Sequence, residues 1–282
     1  MSITLDHVSY VYDLDQKVKH YAVKDVSLEI KKGEFVSIIG HTGSGKSTLV
    51  QFLNGLLEPT EGHVYFDGQD IFEKGFSLKT LRQKVGIVFQ YPDHQLFESD
   101  VLKDVMFGPK NLGLSDKQAE ADARAALKVM ALDEKLYEKS PFELSGGQKR
   151  RVAIAGILAM NPDYLILDEP TAGLDPEGRD EILELIRTLN WSQGIAVILV
   201  SHSMEDVAEY AKRLLVMYEG EIIMDDTPRN VFKAYKQMET LGLSVPQVTY
   251  AAHALKDRGF PIDENVMTVA EAKKEILRIL KK

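Results

Sequence analysis

The chain has 282 residues with no cysteine, and 34 Lys and Arg stand against 43 Asp and Glu, a formal net charge of −9. This length can bury a large core in one large domain or two smaller ones, whereas the lack of cysteine excludes disulfides and thiolate metal sites. The acidic balance argues against non-specific nucleic-acid binding, and no apolar stretch approaches the roughly 18–20 residues that span a bilayer. With no leader pattern before the first strand, we expect a soluble chain that reaches a membrane only through partners.

The amino-terminal part predicts strands that lead into a glycine-rich loop. Residues 3–30 contain short alternating runs, and residues 35–39 are a β-branched apolar run typical of a buried parallel strand. Residues 47–57 have a helical pattern. Between strand and helix lies the phosphate loop, Gly40–Thr48, whose sequence GHTGSGKST fits G-x-x-x-x-G-K-[ST] without a mismatch.

The phosphate loop predicts a site for a nucleoside triphosphate. Glycines let backbone N–H groups converge on phosphate oxygens, and the following helix adds its positive end. Lys46 would bring a charge to the outer phosphates, and the Ser47 hydroxyl would bind Mg²⁺. A glycine-rich turn without a ligand is the alternative, which the combination of strand, spacing, Lys46 and Ser47 argues against. The residues assigned to the nucleotide here are Gly40, His41, Thr42, Gly43, Ser44, Gly45, Lys46, Ser47 and Thr48.

A further strand pattern at residues 85–89 ends at Gln90, whose amide would contact Mg²⁺ or water. The chain is then mostly helical in pattern from about residue 91 to 160, with a capping box that begins at Ser115. This stretch predicts a helical subdomain inserted into the sheet-forming parts. The return to the sheet is marked by Asn161-Pro162.

A second glycine run, which we call the signature run, is Leu144–Gln148 (LSGGQ), and residues 149–160 after it are compatible with a helix. Ser-Gly-Gly at a helix start is a second anion site by the same argument. One phosphate loop hardly needs two such sites, whereas two copies arranged head to tail would complete each other. The alternative is a plain N-cap in which Lys149, Arg150 and Arg151 form a solvated basic patch.

Polar residues follow two more buried strand patterns. Residues 164–167 end at Asp168 and Glu169, and residues 195–200 lead to His202. Ligands bind at the carboxyl ends of strands in such sheets, so Asp168 would hold Mg²⁺ and Glu169 would act as general base on the attacking water. His202 would bridge the γ-phosphate and Glu169. Solvated acids and a structural histidine are the alternatives, and the phosphate loop upstream favours the catalytic interpretation.

The tail after Asp225 no longer alternates strands and helices. A helix is predicted to begin at Thr227-Pro228, and Thr268 with Glu271 caps a last amphipathic helix. A tail of about 57 residues is too short for a robust core of its own. From its pattern alone it is interpreted as a helical appendage packed on its own core.

Together these motifs resemble the ATP-binding subunit of an ABC transporter, over roughly residues 2–225. The resemblance implies an α/β P-loop NTPase (RecA-like) core with an inserted helical subdomain, amino-terminal antiparallel strands and a small carboxyl-terminal helical domain. The implied division is an ATPase domain, 1–225, and a carboxyl-terminal domain, 226–282, that contacts the partner ATPase. The matching motifs are Gly40–Thr48, Gln90, Leu144–Gln148, Leu165–Glu169, Gly173–Asp175 and His202.

The resemblance also extends the set of site residues. Tyr12 is implied as the aromatic that stacks on adenine, although by itself it is an ordinary strand residue and Tyr10 competes with it. Catalysis is assigned to Lys46, Gln90, Glu169 and His202, and Mg²⁺ to Ser47, Gln90 and Asp168. From across a dimer, the nucleotide would be contacted by Ser145, Gly146, Gly147, Gln148 and Asp175.

A narrower resemblance is to energy-coupling factor (ECF) transporters, carried by Gln90–Phe97 and Ser140–Gly156. The second of these stretches is most similar to the second ATPase subunit of that prokaryotic family. The family implies two ATPases (a heterodimer, or a homodimer in simpler systems), a transmembrane scaffold docked near Tyr91–Phe97, and a separate membrane protein that binds a vitamin or trace metal. The chain would then lie at the cytoplasmic face of the cell membrane.

Two other classes of function compete. One is a soluble ATP-gated clamp on DNA or ribosomes, although such chains usually carry two ATPase units or a long coiled coil. The other is a GTPase or small-molecule kinase, which lacks support because there is no N-K-x-D motif and the signature run would be unexplained.

Overall fold

The computed structural model describes residues 1–12, 20–90 and 95–280. Within them the chain forms two sheets with helices around them, as the sequence predicts. The strands are β1 (Ser2–Val11), β2 (Tyr21–Lys31), β3 (Phe35–Ile39), β4 (Glu61–Phe66), β5 (Gln69–Asp70), β6 (Val85–Val88), β7 (Tyr164–Asp168), β8 (Ala196–Val200), β9 (Arg213–Tyr218) and β10 (Glu221–Asp226).

Helices occupy the connections and the carboxyl-terminal part of the chain. They are α1 (Lys46–Leu53), α2 (Leu78–Lys84), α3 (Val101–Asn111), α4 (Asp116–Val129), α5 (Gly146–Leu158), α6 (Pro176–Gln193), α7 (Met204–Tyr210), α8 (Pro228–Lys233), α9 (Tyr235–Thr240), α10 (Gln247–Asp257) and α11 (Val269–Leu280). Within this described part of the chain, no helix is both long and apolar enough to cross a membrane.

The larger sheet has the strand order β10-β9-β3-β8-β7-β6. Its five strands from β9 to β6 are parallel, and β10 pairs antiparallel at the edge. Every residue of β3, β7 and β8 is buried, because helices α3–α6 cover one face of the sheet, α1 and the smaller sheet cover the other, and the strands are mostly apolar. The carboxyl ends of β3, β6, β7 and β8 therefore meet at one edge.

The smaller sheet is antiparallel, in the order β2-β1-β4-β5. It packs against the phosphate loop at Gly45, whose φ is +101° and whose missing Cβ would lie 2.1 Å from the carbonyl oxygen of Ala22 at the start of β2. Only glycine permits this approach. The loop is held from its other side as well, since the Gly220 N–H donates to the Ser44 carbonyl (3.2 Å).

The predicted helix at residues 47–57 is shorter in the structure. It begins at Lys46 and ends at Leu53, because Gly55 adopts a φ of +65° that a helix interior does not allow.

In the described part of the chain between β6 and β7, where the sequence predicts a helical insert, lie helices α3, α4 and α5. Their inward residues join α6 and the larger sheet in one apolar cluster. Close packing of α5 on the sheet depends on Gly86 in β6, since a Cβ there would lie 2.1 Å from Cγ2 of Ile157. The insert is thus fixed to the core instead of standing apart from it.

The tail after β10 is helical, as expected. Helices α8 and α9 pack on α7 and β9 in one apolar cluster, and α10 and α11 share a smaller one. Helix α11 has no buried residue and carries an exposed apolar row: Val269, Ile276, Leu277 and Leu280. The division of the chain at residue 225 remains a prediction.

Candidate nucleotide-binding site

The phosphate loop joins β3 to α1 in the strand–loop–helix order that the sequence predicts. Gly45 precedes α1 without a side-chain cap, so the first N–H groups of the helix are available to an anion. Lys46 is 6% exposed, and its Nζ donates to the carbonyl oxygens of Gly40 (2.8 Å) and His41 (3.0 Å). Burial lowers the pKa of Lys46, against the opposite effect of the Glu169 and Asp168 charges. A phosphate beside this ammonium would relieve its poor solvation.

Ser47 and Asp168 form an oxygen pair beside the phosphate loop. The Ser47 hydroxyl donates to Oδ2 of Asp168 at 3.1 Å. Burial raises the pKa of Asp168, and the hydrogen bond from Ser47 acts in the opposite direction. A hydroxyl and a carboxylate are ligands that fit Mg²⁺. Since the described residues include no group of three or more His, Asp or Glu that could hold a metal, such an ion would take its remaining oxygens from phosphate and water.

Each carboxylate oxygen of Glu169 contacts one neighbouring side chain. His202 Nε2 lies 2.8 Å from Oε1, and Gln90 Nε2 donates to Oε2 at 2.8 Å. The three side chains come from the carboxyl ends of β7, β8 and β6, as the sequence predicts. Glu169 itself has a φ of +49°, a left-handed conformation that costs a non-glycine residue roughly 1–3 kcal/mol and persists only where the surroundings hold it.

The first pocket, about 450 Å³ in volume, brings these parts together. It is lined by Tyr12, His20, Ala22, Thr42, Gly43, Gly45, Lys46, Ser47, Thr48, Gln90, Glu169 and His202. Three residues of the phosphate loop are not part of the lining: Gly40 offers its carbonyl to Lys46, Ser44 is fully buried, and the His41 ring packs edge-on against Tyr218.

Two lining residues, His20 and Ala22, were not anticipated from the sequence. They are positioned by the antiparallel pairing of β1 and β2, in which Val11 is opposite Tyr21. Residues near the start of β2 therefore lie beside Tyr12. The motifs do not specify which residues of β1 and β2 pair with each other. Only the register of these two strands would identify His20 and Ala22 as lining residues.

The signature run lies in a second pocket, about 580 Å³ in volume. Its Ser145 forms a capping box with Gln148: Ser145 Oγ accepts from the Gln148 N–H (3.4 Å) and Gln148 Oε1 accepts from the Ser145 N–H (3.0 Å). The lining includes Ser145, Gly146, Gly147, Gln148, Gly173, Leu174, Asp175 and Arg151, and it shares no residue with the first pocket. The phosphate loop and the signature run of one chain thus do not face the same cavity.

The alternative of a plain N-cap with a solvated basic patch is partly wrong. The cap is present, but Arg150 is only 6% exposed and its Nη1 donates to the carbonyl oxygens of Pro170 (2.6 Å) and Ala172 (2.8 Å). It is buried because its position in α5 points it at the loop after β7. Arg151 pairs with Glu181.

The fold and the two pockets define an ATP-binding cassette, and the chain belongs to the ABC transporter family, whose family model matches residues 23–172. Along its whole length it is similar to proteins named energy-coupling factor transporter ATP-binding protein EcfA2. The protein of that name from Clostridium tetani is 54% identical over 280 residues, which cover 99% of this chain and 97% of the relative. That from Caldanaerobacter subterraneus is 52% identical over 281 residues, 100% of this chain and 98% of the relative.

Solved structures agree with these relatives. CbiO1 of Clostridium perfringens, described as part of the ABC transporter complex CbiONQ, is 39% identical with a TM-score of 0.74, over 84% of this chain and 94% of that one. A dimer of the ATP-binding cassette MJ0796 bound to ADP and phosphate is 34% identical with a TM-score of 0.72, over 80% of this chain and 98% of that one. The prediction of an ABC ATPase of the ECF type, similar to its second ATPase subunit, is confirmed.

Proposed function

We propose that this chain binds and hydrolyses ATP as a subunit of an energy-coupling factor importer, with Glu169 as general base. The observation that carries the proposal is the carboxylate of Glu169, held between His202 and Gln90 beside the phosphate loop. Sequence relatives along the whole chain bear the name of such a transporter subunit, which favours this function over a clamp on nucleic acid or ribosomes.

The side chains of the first pocket suggest a division of labour. The γ-phosphate would lie at the start of α1, where Lys46 would exchange its two carbonyl partners for phosphate oxygens. Ser47 and Asp168, with Gln90 near them, would hold Mg²⁺, which supplies positive charge to the phosphate oxygens. Tyr12 would stack on adenine.

Hydrolysis then requires one proton transfer near Glu169. Water attacks the γ-phosphorus, its proton passes to the Glu169 carboxylate, and the bond from that phosphorus to the ADP oxygen breaks. His202, 2.8 Å from Glu169, would bridge that carboxylate and the γ-phosphate, and Gln90 would orient the water. Loss of the base is expected to slow the reaction by about 10²–10⁴.

A second ATPase subunit would complete the site. Because the first and second pockets have no lining residue in common, the phosphate loop of one subunit would meet Ser145–Gln148 and Asp175 of another, in a homologous partner or a second copy. The apolar row of α11 would add to this contact, in keeping with a carboxyl-terminal domain, 226–282, at the dimer interface.

The transmembrane scaffold would dock on an apolar groove between the helical insert and the larger sheet, about 560 Å³ in volume. Phe97 and Phe107 stand edge to face at its rim, with ring centroids 4.8 Å apart, and are 57% and 42% exposed. The predicted docking segment begins at Tyr91, and residues 91–94 lie outside the described residues. A vitamin or trace metal would be bound by a separate membrane protein, which would place this chain at the cytoplasmic face.

The test is Glu169→Gln, which keeps the shape of the side chain and removes the base. We expect unchanged Mg-ATP affinity, measured by titration calorimetry, and hydrolysis slower by about 10²–10⁴. Glu184→Gln is the matched control, since Glu184 pairs with Arg187 on the exposed face of α6. Normal turnover by the Glu169→Gln protein would exclude this residue as general base.

A further inference from the structure

The loop after β7 connects the two pockets within one chain. We call Pro170–Leu174 the connecting loop, because it runs from Glu169 in the first pocket to Asp175 in the second. It consists of two overlapping turns: the Ala172 N–H donates to the Glu169 carbonyl (3.2 Å), and the Leu174 N–H donates to the Thr171 carbonyl (3.2 Å). A shift of this loop would therefore move both ends.

A buried arginine of the signature helix holds the connecting loop. Arg150 lies in α5, which starts within the signature run and has Ser145 as its N-cap. The Nη1 of Arg150 donates to two carbonyl oxygens of the loop, those of Pro170 and Ala172. Hydrogen bonds from a charged donor are shorter and stronger than neutral ones, and the planar guanidinium fixes direction as well as distance. The two hydrogen bonds to this backbone thus come from the helix that Ser145 caps.

Glu169 needs such support from its surroundings. Its left-handed φ of +49° is intrinsically unfavourable, so neighbouring contacts must select it. On one side the Glu169 N–H donates to the Val200 carbonyl of β8 (3.0 Å). On the other side its carbonyl closes the first turn of the connecting loop, which Arg150 holds. The backbone of Glu169 is therefore held on one side by β8 and on the other by the turn that Arg150 contacts, while its carboxylate contacts His202 and Gln90.

We propose that Arg150 is a positioning residue that orients Glu169 through the connecting loop and so couples the signature run to the general base of the same chain. This rests on the proposed function, in which these two features of one chain belong to two different ATP sites. A nucleotide from the partner subunit that seats on Ser145–Gln148 would move α5, and Arg150 would carry that displacement to Glu169. The state of one ATP site would then adjust hydrolysis at the other.

The first test compares three full-length proteins, each purified with whatever ATPase and membrane subunits it carries. Arg150→Gln removes the charged guanidinium group, and Arg150→Lys keeps the charge without the planar guanidinium. Arg124→Gln, which removes a surface ion pair to Glu120 on α4, is the control. We expect kcat to fall by about 10–10² for Arg150→Gln, less for Arg150→Lys, with KM for ATP within about twofold, because misplacement of a reacting group by about 1 Å costs up to that much. If Arg150→Gln does not fold, the kcat of Arg150→Lys tests the proposal instead, provided that this variant melts at the same temperature as the wild-type protein. A normal kcat, or a fall no larger than that of the control, would refute the proposal.

The second test asks whether Arg150 acts through Glu169. Single-turnover hydrolysis of radiolabelled ATP is measured over hours for Arg150→Gln in the Glu169→Gln background. If Arg150 only positions the base, its replacement changes this residual rate by less than about twofold, since interacting residues are non-additive. A full and additive loss would mean a general structural role and would overturn the proposal. If the wild-type chain itself hydrolyses no ATP, or Glu169→Gln is fully active, the proposed function fails first, whatever the Arg150 variants do.

Discussion

Tyr10 and Tyr12 stand two residues apart at the end of β1 but lie in different surroundings. Tyr10 is partly buried and packs edge to face against Phe52, with ring centroids 5.9 Å apart. Tyr12 is 65% exposed and lines the first pocket, and its hydroxyl lies 2.9 Å from Oγ1 of Thr48. An exposed ring fixed by its hydroxyl beside the phosphate loop is suited to stack on a base, whereas Tyr10 serves the core.

We therefore predict that Tyr12→Ala weakens ATP binding. Loss of stacking worth roughly 1–3 kcal/mol raises the Kd for ATP about five- to 150-fold. The measurement is calorimetric titration in the Glu169→Gln background, so that hydrolysis does not interfere. Tyr12→Phe, which keeps the ring, should change the Kd by less than about threefold. A larger loss from a folded Tyr10→Ala protein than from Tyr12→Ala would reverse the assignment.

The first-pocket side chains at the phosphate loop and at the ends of the parallel strands follow from the sequence, whereas those near the β1–β2 connection do not. Lys46 and Ser47 are placed by a short loop whose geometry its own glycines determine, and Glu169, His202 and Gln90 converge because parallel strands end at one edge. Tyr12 and Ala22, by contrast, meet through the register of a separate antiparallel sheet, which no local pattern encodes. Arg150 looked solvated because a run of three basic residues does not show which one points inward.

At the level of elements, a charged cluster joins three segments at the amino ends of the parallel strands. Asp163 lies just before β7 and is 8% exposed. It pairs with Lys32, between β2 and β3, and with Lys84, at the end of α2, whose Nζ is 3.2 Å from Oδ2. Burial by itself raises the pKa of Asp163, but the hydrogen bonds and charges of both lysines outweigh it and hold the pKa below the usual range of aspartate.

This cluster predicts a pH-dependent contribution to stability. A depressed folded-state pKa stabilises the protein above the unfolded pKa of about 3.9, and this contribution disappears as pH falls through the lower folded value. Asp163→Asn should lower the free energy of unfolding by about 1 kcal/mol at pH 7. This is less than a fully buried hydrogen bond between charged groups would contribute, because the side chains of Lys32 and Lys84 are 43% and 35% exposed.

Thermal melts from pH 7 down to about pH 3 measure the difference between Asp163→Asn and wild type. About 1 kcal/mol corresponds to a shift of roughly 2–4 °C for a chain of this size, and it should shrink below about pH 4. The exposed Asp257→Asn on α10 is the control. A difference that grows as the pH falls would contradict the depressed pKa.

For the whole molecule, the decisive feature is that the phosphate loop and the signature run of one chain line two separate pockets. The first pocket has the phosphate loop and Glu169, the proposed general base, and the second has the signature run and Asp175, with no shared lining residue. The apolar row of the 12-residue α11 offers too little surface for a stable dimer by itself, because specific interfaces bury roughly 1,200–2,000 Å². Nucleotide held between two subunits would supply the missing contact.

Association should therefore depend on ATP. We predict that the Glu169→Gln protein, with any homologous ATPase subunit that co-purifies, sediments as a pair in saturating Mg-ATP and as single subunits without nucleotide, because a ligand that binds only the pair shifts the equilibrium by mass action. Adding Ser145→Arg puts a bulky side chain where the partner's phosphates would lie, and it should abolish pairing while ATP still binds the first pocket. Equal sedimentation with and without nucleotide would show that ATP does not join the two subunits, and unchanged pairing of the Ser145→Arg protein would show that the signature run does not face the partner's nucleotide.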